Sequence, residues 1–132
     1  MFDVPTLDDR LNNKDEVLVL RVADASGVRQ PMAIATDYLN NHRLHHLEYT
    51  GRQFVVVTSR GSANRVYDAS EVRFTSQFDD DRVVDEDGEV WRVEEAALVA
   101  VSDSTRRRAR QAAHRAFWFG WYAQYPETIL IR

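Results

Sequence analysis

Short apolar runs rich in β-branched residues constrain the fold of this chain more than any other feature. The clearest run, Phe54–Thr58, lies between the turn-forming pair Thr50-Gly51 and a loop of small residues at Ser59–Asn64. Such runs, about four to eight residues long and bounded by turn formers, are typical of strands. A second run, Val17–Val22, is interrupted only by Arg21, which indicates a strand covered on both faces. The sequence therefore predicts a buried β-sheet.

Turn signals along the chain predict a hairpin and several further strands. Asp87-Gly88 separates Arg82–Val84 from Val90–Val93, and an Asp-Gly pair accepts the positive φ angles of a tight two-residue turn. The segment Glu94–Val101 fits either a helical turn or a strand, and both interpretations stay open. The other predicted strands are Gln30–Thr36, Leu44–Tyr49, Arg65–Tyr67, Val72–Phe74 and Thr128–Ile131.

Helical signals are fewer than strand signals. Ala112–Gln124 predicts the main helix, which Pro126 would end, and a short helix is predicted ahead of Leu44. The chain of 132 residues has the usual length of one domain and shows no repeat or linker, so we expect a single domain over residues 1–132. The predicted fold class is α+β and predominantly antiparallel β, a small sandwich or partly open barrel with one C-terminal aromatic-rich helix packed on the sheet.

Composition excludes several classes of function. The chain has no cysteine, which removes disulfides, thiol nucleophiles and thiolate metal ligands. Its net charge of −4 argues against general nucleic-acid binding, which usually requires a basic excess. No run approaches the roughly 20 apolar residues of a membrane-spanning helix, and Met1–Pro5 lacks the basic start of a signal peptide. We therefore expect a soluble domain that neither binds nucleic acid nor inserts into a membrane.

A histidine cluster offers one candidate site. On a helix, His42 and His46 would share a face at i, i+4, a spacing that can hold zinc or copper, with His114 as a distant third ligand. A carboxylate such as Asp37 or Glu48 would orient the imidazoles. The alternative is that these are partly buried or surface histidines beside a strand. The second interpretation is the simpler one, and no cofactor is predicted.

Two charged clusters have simpler explanations. The acidic stretches Asp79–Asp81 and Asp85–Gly88 resemble a calcium loop only loosely, because the ligand register fails, so we interpret them as a solvated hairpin end. Arg106–Arg108, with Arg110 and Arg115, could bind phosphate or an anionic partner. The simpler explanation is that the arginines lie in a solvated loop or on the polar side of a helix start.

Aromatic residues are densest in Phe117–Tyr122. Phe117, Trp121 and Trp118 are candidate core residues, and Trp118 is also a candidate stacking platform for a ligand. The loop Ser59–Asn64 follows a strong strand, a location that often carries function, but Ser62 lacks the G-x-S-x-G pattern of a hydrolase nucleophile. A complete catalytic set is therefore not identifiable from the sequence.

Several of these stretches together resemble the family catalogued as domain of unknown function 3179. The matching segments are Phe2–Leu7, Asp15–Leu18, Phe54–Thr58, Gly61–Ala63, Val66–Asp68, Asp85–Trp91, Ala113–Trp121 and Tyr125–Thr128. The resemblance implies a fold but no activity. It also implies that the chain could be the C-terminal part of a longer, extracytoplasmic protein. Many members carry a cysteine pair where Ser59-Arg60 stands here, so a thiol role does not carry over.

These observations lead to one functional prediction and two alternatives. We predict a non-catalytic ligand- or protein-binding module whose surface combines the histidine segment, the Ser59–Asn64 loop and the aromatic helix. One alternative is a metal-binding or enzymatic domain that uses His42 and His46; the other is a structural domain of a longer polypeptide. The partner is not specified, and a homo-oligomer or a contact with a parent polypeptide both stay open. The candidate binding residues are His42, His46, Ser59, Arg60, Ser62, Asn64 and Trp118.

Overall fold

A computed structural model describes residues 10–132 of the chain. In chain order, the described elements are β1 (Glu16–Ala23), β2 (Arg29–Ala35), α1 (Thr36–Asn41), β3 (Leu44–Tyr49), β4 (Arg52–Thr58), β5 (Asn64–Asp68), β6 (Phe74–Asp79), β7 (Arg82–Asp85), β8 (Val90–Val93), β9 (Ala97–Ala100), β10 (Arg107–Gln111), β11 (His114–Phe117), α2 (Trp118–Gln124) and β12 (Ile129–Ile131). No helix in this described part is long and apolar enough to cross a membrane.

The chain divides into two compact units. The terminal unit comprises residues up to Tyr38 together with Ala113–Arg132, and the central unit comprises Leu39–Ala112. The expectation of one domain over residues 1–132 stays a prediction, because two compact units are compatible with one domain or with two.

The terminal unit is a four-stranded sheet covered by a helix. Its strand order is β11-β1-β2-β12, antiparallel except for the parallel pair β2–β12. Strand β1 is buried on both faces, as its continuous apolar run predicted, and Arg21 is its exposed interior position. Helix α2 packs on β1 and β11. The core cluster consists of Val17, Val19, Ala33, Trp118 and Trp121.

The central unit is an eight-stranded antiparallel sheet that curls almost into a barrel. Its strand order is β3-β4-β5-β10-β9-β8-β7-β6. The two edge strands approach each other: the Phe74 N–H donates to His46 Nε2 at 3.0 Å, and Gln77 Nε2 donates to the Thr58 carbonyl at 3.2 Å. The first bond gives the Phe74 N–H of edge strand β6 a partner on edge strand β3, and the second links β6 to β4, so the sheet is nearly closed. The predicted α+β class, with a partly open barrel and a C-terminal helix on a sheet, is confirmed.

The predicted helix over Ala112–Gln124 is wrong in its first half. Helix α2 begins only at Trp118, and His114–Phe117 forms β11, which pairs with β1. The Ala and Arg residues of this stretch favour a helix locally, but an edge of β1 needs a partner, and tertiary pairing overrides a weak local preference. The prediction of a strand over Val72–Phe74 is also displaced, since β6 starts at Phe74.

The hairpin around Gly88 is confirmed, but its loop is longer than predicted. Asp85 N–H donates to the Glu89 carbonyl and Gly88 N–H to the Asp85 carbonyl, both at 3.0 Å, so three residues rather than two form the loop. Gly88 has φ +83°, which glycine adopts without strain. The Asp85 carboxylate accepts the N–H groups of Asp87 and Glu89 and Trp91 Nε1–H, each at 2.9 to 3.0 Å. This buried carboxylate selects the wider loop.

Candidate functional site

An open groove of about 540 Å³ lies on the central unit beside His46. Its walls come from β3, from the start of β4, from the segment 69–73 that joins β5 to β6, and from the β7–β8 loop. The groove combines an apolar lining with charged side chains. The apolar members are Leu47, Phe54, Ala69 and Val72, and the charged members are Glu48, Glu71, Arg73 and Glu86.

His46 lines the groove and also accepts the hydrogen bond that links the two edge strands of the barrel, β3 and β6. Because the Phe74 backbone nitrogen can only donate, Nε2 of His46 must be the acceptor, and the neutral ring carries its proton on Nδ1. The imidazole also stacks on the Phe74 ring, with centroids 6.3 Å apart. Burial lowers the pKa of His46, and the nearby charges of Arg73 and His45 lower the pKa further. The ring is therefore held in its neutral form.

Hydrogen bonds hold the opposite wall of the groove in place. Ala69 N–H donates to the Gln53 carbonyl at 2.8 Å, and Glu86 N–H donates to the Arg73 carbonyl at 2.9 Å. Glu71 has φ +62°, a left-handed conformation that costs a non-glycine residue about 1–2 kcal/mol. The groove is thus preformed, and strained backbone of this kind is often retained at functional positions.

Only one of the predicted binding residues lines the groove. His46 does so, whereas Ser59, Arg60, Ser62 and Asn64 lie at the other end of β4, beyond the pair Leu44–Val57. Their loop is organised by its own hydrogen bonds, including Ala63 N–H to Ser59 Oγ at 3.2 Å. The expected convergence with the aromatic helix stays a prediction, because that helix belongs to the terminal unit.

The helical geometry behind the metal hypothesis is wrong. Helix α1 ends at Asn41, so His42 follows the helix, and His46 lies within β3. His45 and His46 are neighbours on a strand and point to opposite faces. Among residues 10–132, no group of three or more His, Cys, Asp or Glu is arranged to hold a metal ion. Metal binding by His42 and His46 stays a hypothesis, but the helical i, i+4 spacing no longer supports it.

The core positions predicted for Trp118 and Trp121 are confirmed, and the core position predicted for Phe117 is wrong. Trp118 has no exposed surface, so it cannot serve as a stacking platform for a ligand, and it belongs to the core of the terminal unit. Phe117, predicted to be core, is 58% exposed. The reason is the late start of α2: Phe117 still belongs to β11, whose alternating side chains do not follow the helical spacing assumed for this stretch.

The arginine cluster is used within the fold. Arg106 forms an ion pair with Glu89, and Arg110 forms one with Glu95. Arg106 and Arg108 also lie over the Trp91 ring, at 5.1 and 5.5 Å from its centroid. These contacts use Arg106, Arg108 and Arg110 to brace the sheet, whereas an anionic ligand for the cluster stays a hypothesis.

Sequence reasoning missed most of the groove. No sequence motif includes the charged groove residues Glu71, Arg73 and Glu86. Nothing in their local sequence shows that the 69–73 segment and the β7–β8 loop meet beside β3. The only available signal was the pattern of Asp68–Ser70, which forms a side-chain turn through Asp68 Oδ1. That pattern marks a turn but does not mark a binding site.

The role of His46 predicts a specific loss of stability in acid. Its folded pKa is below the ordinary value of 6.5, so the unfolded chain binds the proton more readily. The stability that neutral His46 contributes is therefore complete above pH 6.5 and is lost as the pH falls below it. Protonation also removes the acceptor for Phe74 N–H. We expect the free energy of unfolding, measured in urea, to fall less steeply below pH 6.5 in His46→Gln than in the wild type.

The control for this measurement is His114→Gln, which changes an exposed histidine in the terminal unit. We expect its acid dependence to follow that of the wild type. Equal slopes for His46→Gln and the wild type would show that the imidazole does not couple protonation to folding.

The fold and groove define a β-rich α+β chain with a preformed depression on a nearly closed barrel. The chain belongs to the family described as protein of unknown function (DUF3179), whose family model matches residues 1–128. The match confirms the resemblance seen in the sequence motifs and covers both compact units. No curated protein and no solved structure matches the chain.

Proposed function

We propose that the central unit is a non-catalytic binding module for a small polar molecule and that the groove beside His46 is its binding site. The observation that carries this proposal is the lining of the groove. A volume of about 540 Å³ is in the usual range of small-molecule sites. Buried apolar side chains such as Phe54 and Leu47 lie beside exposed charged ones, a combination that provides both affinity and orientation.

The described lining lacks the hydroxyl or thiol nucleophile and the free imidazole base of common hydrolase sites, which favours binding over that kind of catalysis. The lining residues include no hydroxyl or thiol side chain that could act as a nucleophile. The single imidazole, His46, uses Nε2 as the acceptor for a backbone N–H and so does not offer that nitrogen as a general base. The walls are already held by hydrogen bonds, which lowers the entropic cost of ordering the site around a ligand.

The proposal is tested by following backbone amide resonances during titration with mixtures of amino acids, polyamines, sugars and dicarboxylates. We expect at least one mixture to shift the amides of Leu47, Ala69 and Arg73 in the wild type. Val72→Trp, which fills the groove, should abolish those shifts. The matched control is Val101→Trp, at a position that is 51% exposed and outside the groove lining, and it should retain them.

Circular dichroism of both tryptophan variants establishes that each is folded before the titrations are compared. Two outcomes would contradict the proposal. The first is that no mixture shifts the groove amides of the wild type. The second is that the shifts persist in folded Val72→Trp, which would place the binding surface elsewhere.

A further inference from the structure

We infer that the groove binds a small zwitterion, with a carboxylate held by Arg73 and His46 and an ammonium group held by Glu71 and Glu86. This inference rests on the proposed function, because it names the class of ligand for the same site. The inference follows from the positive side chain of Arg73 and the negative side chains of Glu71 and Glu86, which line one groove but form no ion pair with each other.

Among the described residues, the charged side chains that line the groove form no ion pair with one another. Five arginines of the central unit form ion pairs with carboxylates within the described residues: Arg65, Arg82, Arg92, Arg106 and Arg110. Within the same residues, the Arg73 side chain forms no hydrogen bond or ion pair, although Glu71 and Glu86 line the same groove. Opposite charges that are held apart complement a ligand whose own charges are separated.

The carboxylate subsite lies where the hydrogen bond between β3 and β6 brings Arg73 close to His46. The bond from Phe74 N–H to His46 Nε2 places Arg73, the preceding residue, beside the imidazole. Since Nε2 is occupied, the remaining polar group of the neutral ring is the Nδ1–H donor. A guanidinium and a neutral N–H donor side by side are suited to an anionic oxygen ligand, and a planar carboxylate matches the guanidinium geometry.

The ammonium subsite lies beside the same arginine. Glu71 is two residues before Arg73, and Glu86 is fixed next to it by the bond from Glu86 N–H to the Arg73 carbonyl. A second cavity, of about 30 Å³, shares Glu71, Val72, Arg73 and Glu86 with the groove and is further lined by Asp85, Asp87 and Arg106. The carboxylates of this cavity outnumber its two arginines, which favours a cationic group there over an anionic one.

The groove also has apolar lining residues, which suit the hydrocarbon part of such a ligand. Leu47, Phe54 and Val72 line the groove together with the two charged subsites. Of these three, the half-buried Val72 offers a surface for methylene groups, each of which gains free energy when it leaves water. A ligand with an amine and a carboxylate joined by a short apolar chain therefore fits the lining better than a ligand with a single charge.

Three probes of matched length test the inference: 6-aminohexanoate, hexanoate and hexylamine, each titrated into the full chain and followed by the groove amides. Each charge placed at a partly exposed subsite is worth up to about a fivefold change in affinity. We expect 6-aminohexanoate to bind about fivefold more tightly than either singly charged probe. Its affinity should weaken as salt is added, because the subsites are solvent-exposed.

Variants assign each charge to its subsite. Arg73→Gln should remove the preference for 6-aminohexanoate over hexylamine, and the double variant Glu71→Gln/Glu86→Gln should remove the preference over hexanoate. Arg107→Gln is the matched control: it removes an exposed arginine outside the groove lining and should leave all three affinities unchanged.

The possible failures are distinguishable. If either singly charged probe binds as tightly as 6-aminohexanoate, or if only other compounds shift the groove amides, the zwitterion inference is overturned and the binding module stands. If no compound shifts those amides, the proposed function fails together with the inference. If Arg107→Gln weakens binding as much as Arg73→Gln, the charges act through the net field of the protein and not through two subsites, which also overturns the inference.

Discussion

Replacing Trp118 with alanine is expected to destabilise the protein by about 3–5 kcal/mol, the usual cost of truncating a fully buried tryptophan. The indole lies in the core of the terminal unit with Val17, Val19 and Ala33, and its ring centroid is 5.2 Å from that of Tyr122. Its loss would leave a cavity beneath α2 that the short helix and the sheet cannot close. Thermal and urea unfolding would measure the effect.

Two further variants separate packing from polarity at this position. Trp118 Nε1–H is buried and finds no acceptor among the described residues, so Trp118→Phe removes an unsatisfied donor along with part of the ring. We expect Trp118→Phe to cost much less than Trp118→Ala. Phe117→Ala, at the adjacent position, is 58% exposed and should change the stability by no more than about 0.5 kcal/mol. A larger loss for Phe117→Ala than for Trp118→Ala would contradict the assignment of Trp118 to the core.

Replacing Asp85 with alanine is expected to cost about 3 kcal/mol, because three donors would lose one shared acceptor. The carboxylate is only 5% exposed and accepts Asp87 N–H, Glu89 N–H and Trp91 Nε1–H. Trp91 is fully buried, so its indole N–H could not turn to water instead. The loss should appear in urea unfolding and as faster hydrogen exchange at Glu89.

Asparagine at position 85 tests the two carboxylate oxygens separately. Its single oxygen can still accept the Asp87 and Glu89 N–H groups, but its amide nitrogen would face Trp91 Nε1–H, donor against donor. Asp85→Asn should therefore destabilise the protein less than Asp85→Ala but measurably. Asp87→Ala, an exposed position in the same loop, is the control and should be nearly neutral. Stability equal to wild type in Asp85→Asn would mean that the bond to Trp91 contributes nothing.

The groove illustrates how a candidate binding site can escape a single sequence. The seven candidate binding residues were chosen because they are chemically conspicuous, and the structure places only His46 in the groove. Arg73, Glu71 and Glu86 are ordinary charged residues in loops, and such residues usually lie on a solvated surface. They become candidates only when the folded chain brings the β5–β6 segment against β3.

The sequence by itself determined the elements whose signals are local. The β-branched runs specify β1 and β4 because those side chains fit extended backbone, and the Asp-Gly pair specifies a hairpin because glycine reaches positive φ without strain. Only the tertiary structure decided the pairing of β11 with β1, the burial of Trp118 and the closure of the barrel through His46. Each of these depends on a partner that is distant in the chain, and local propensities of a few tenths of a kcal/mol per residue yield to such contacts.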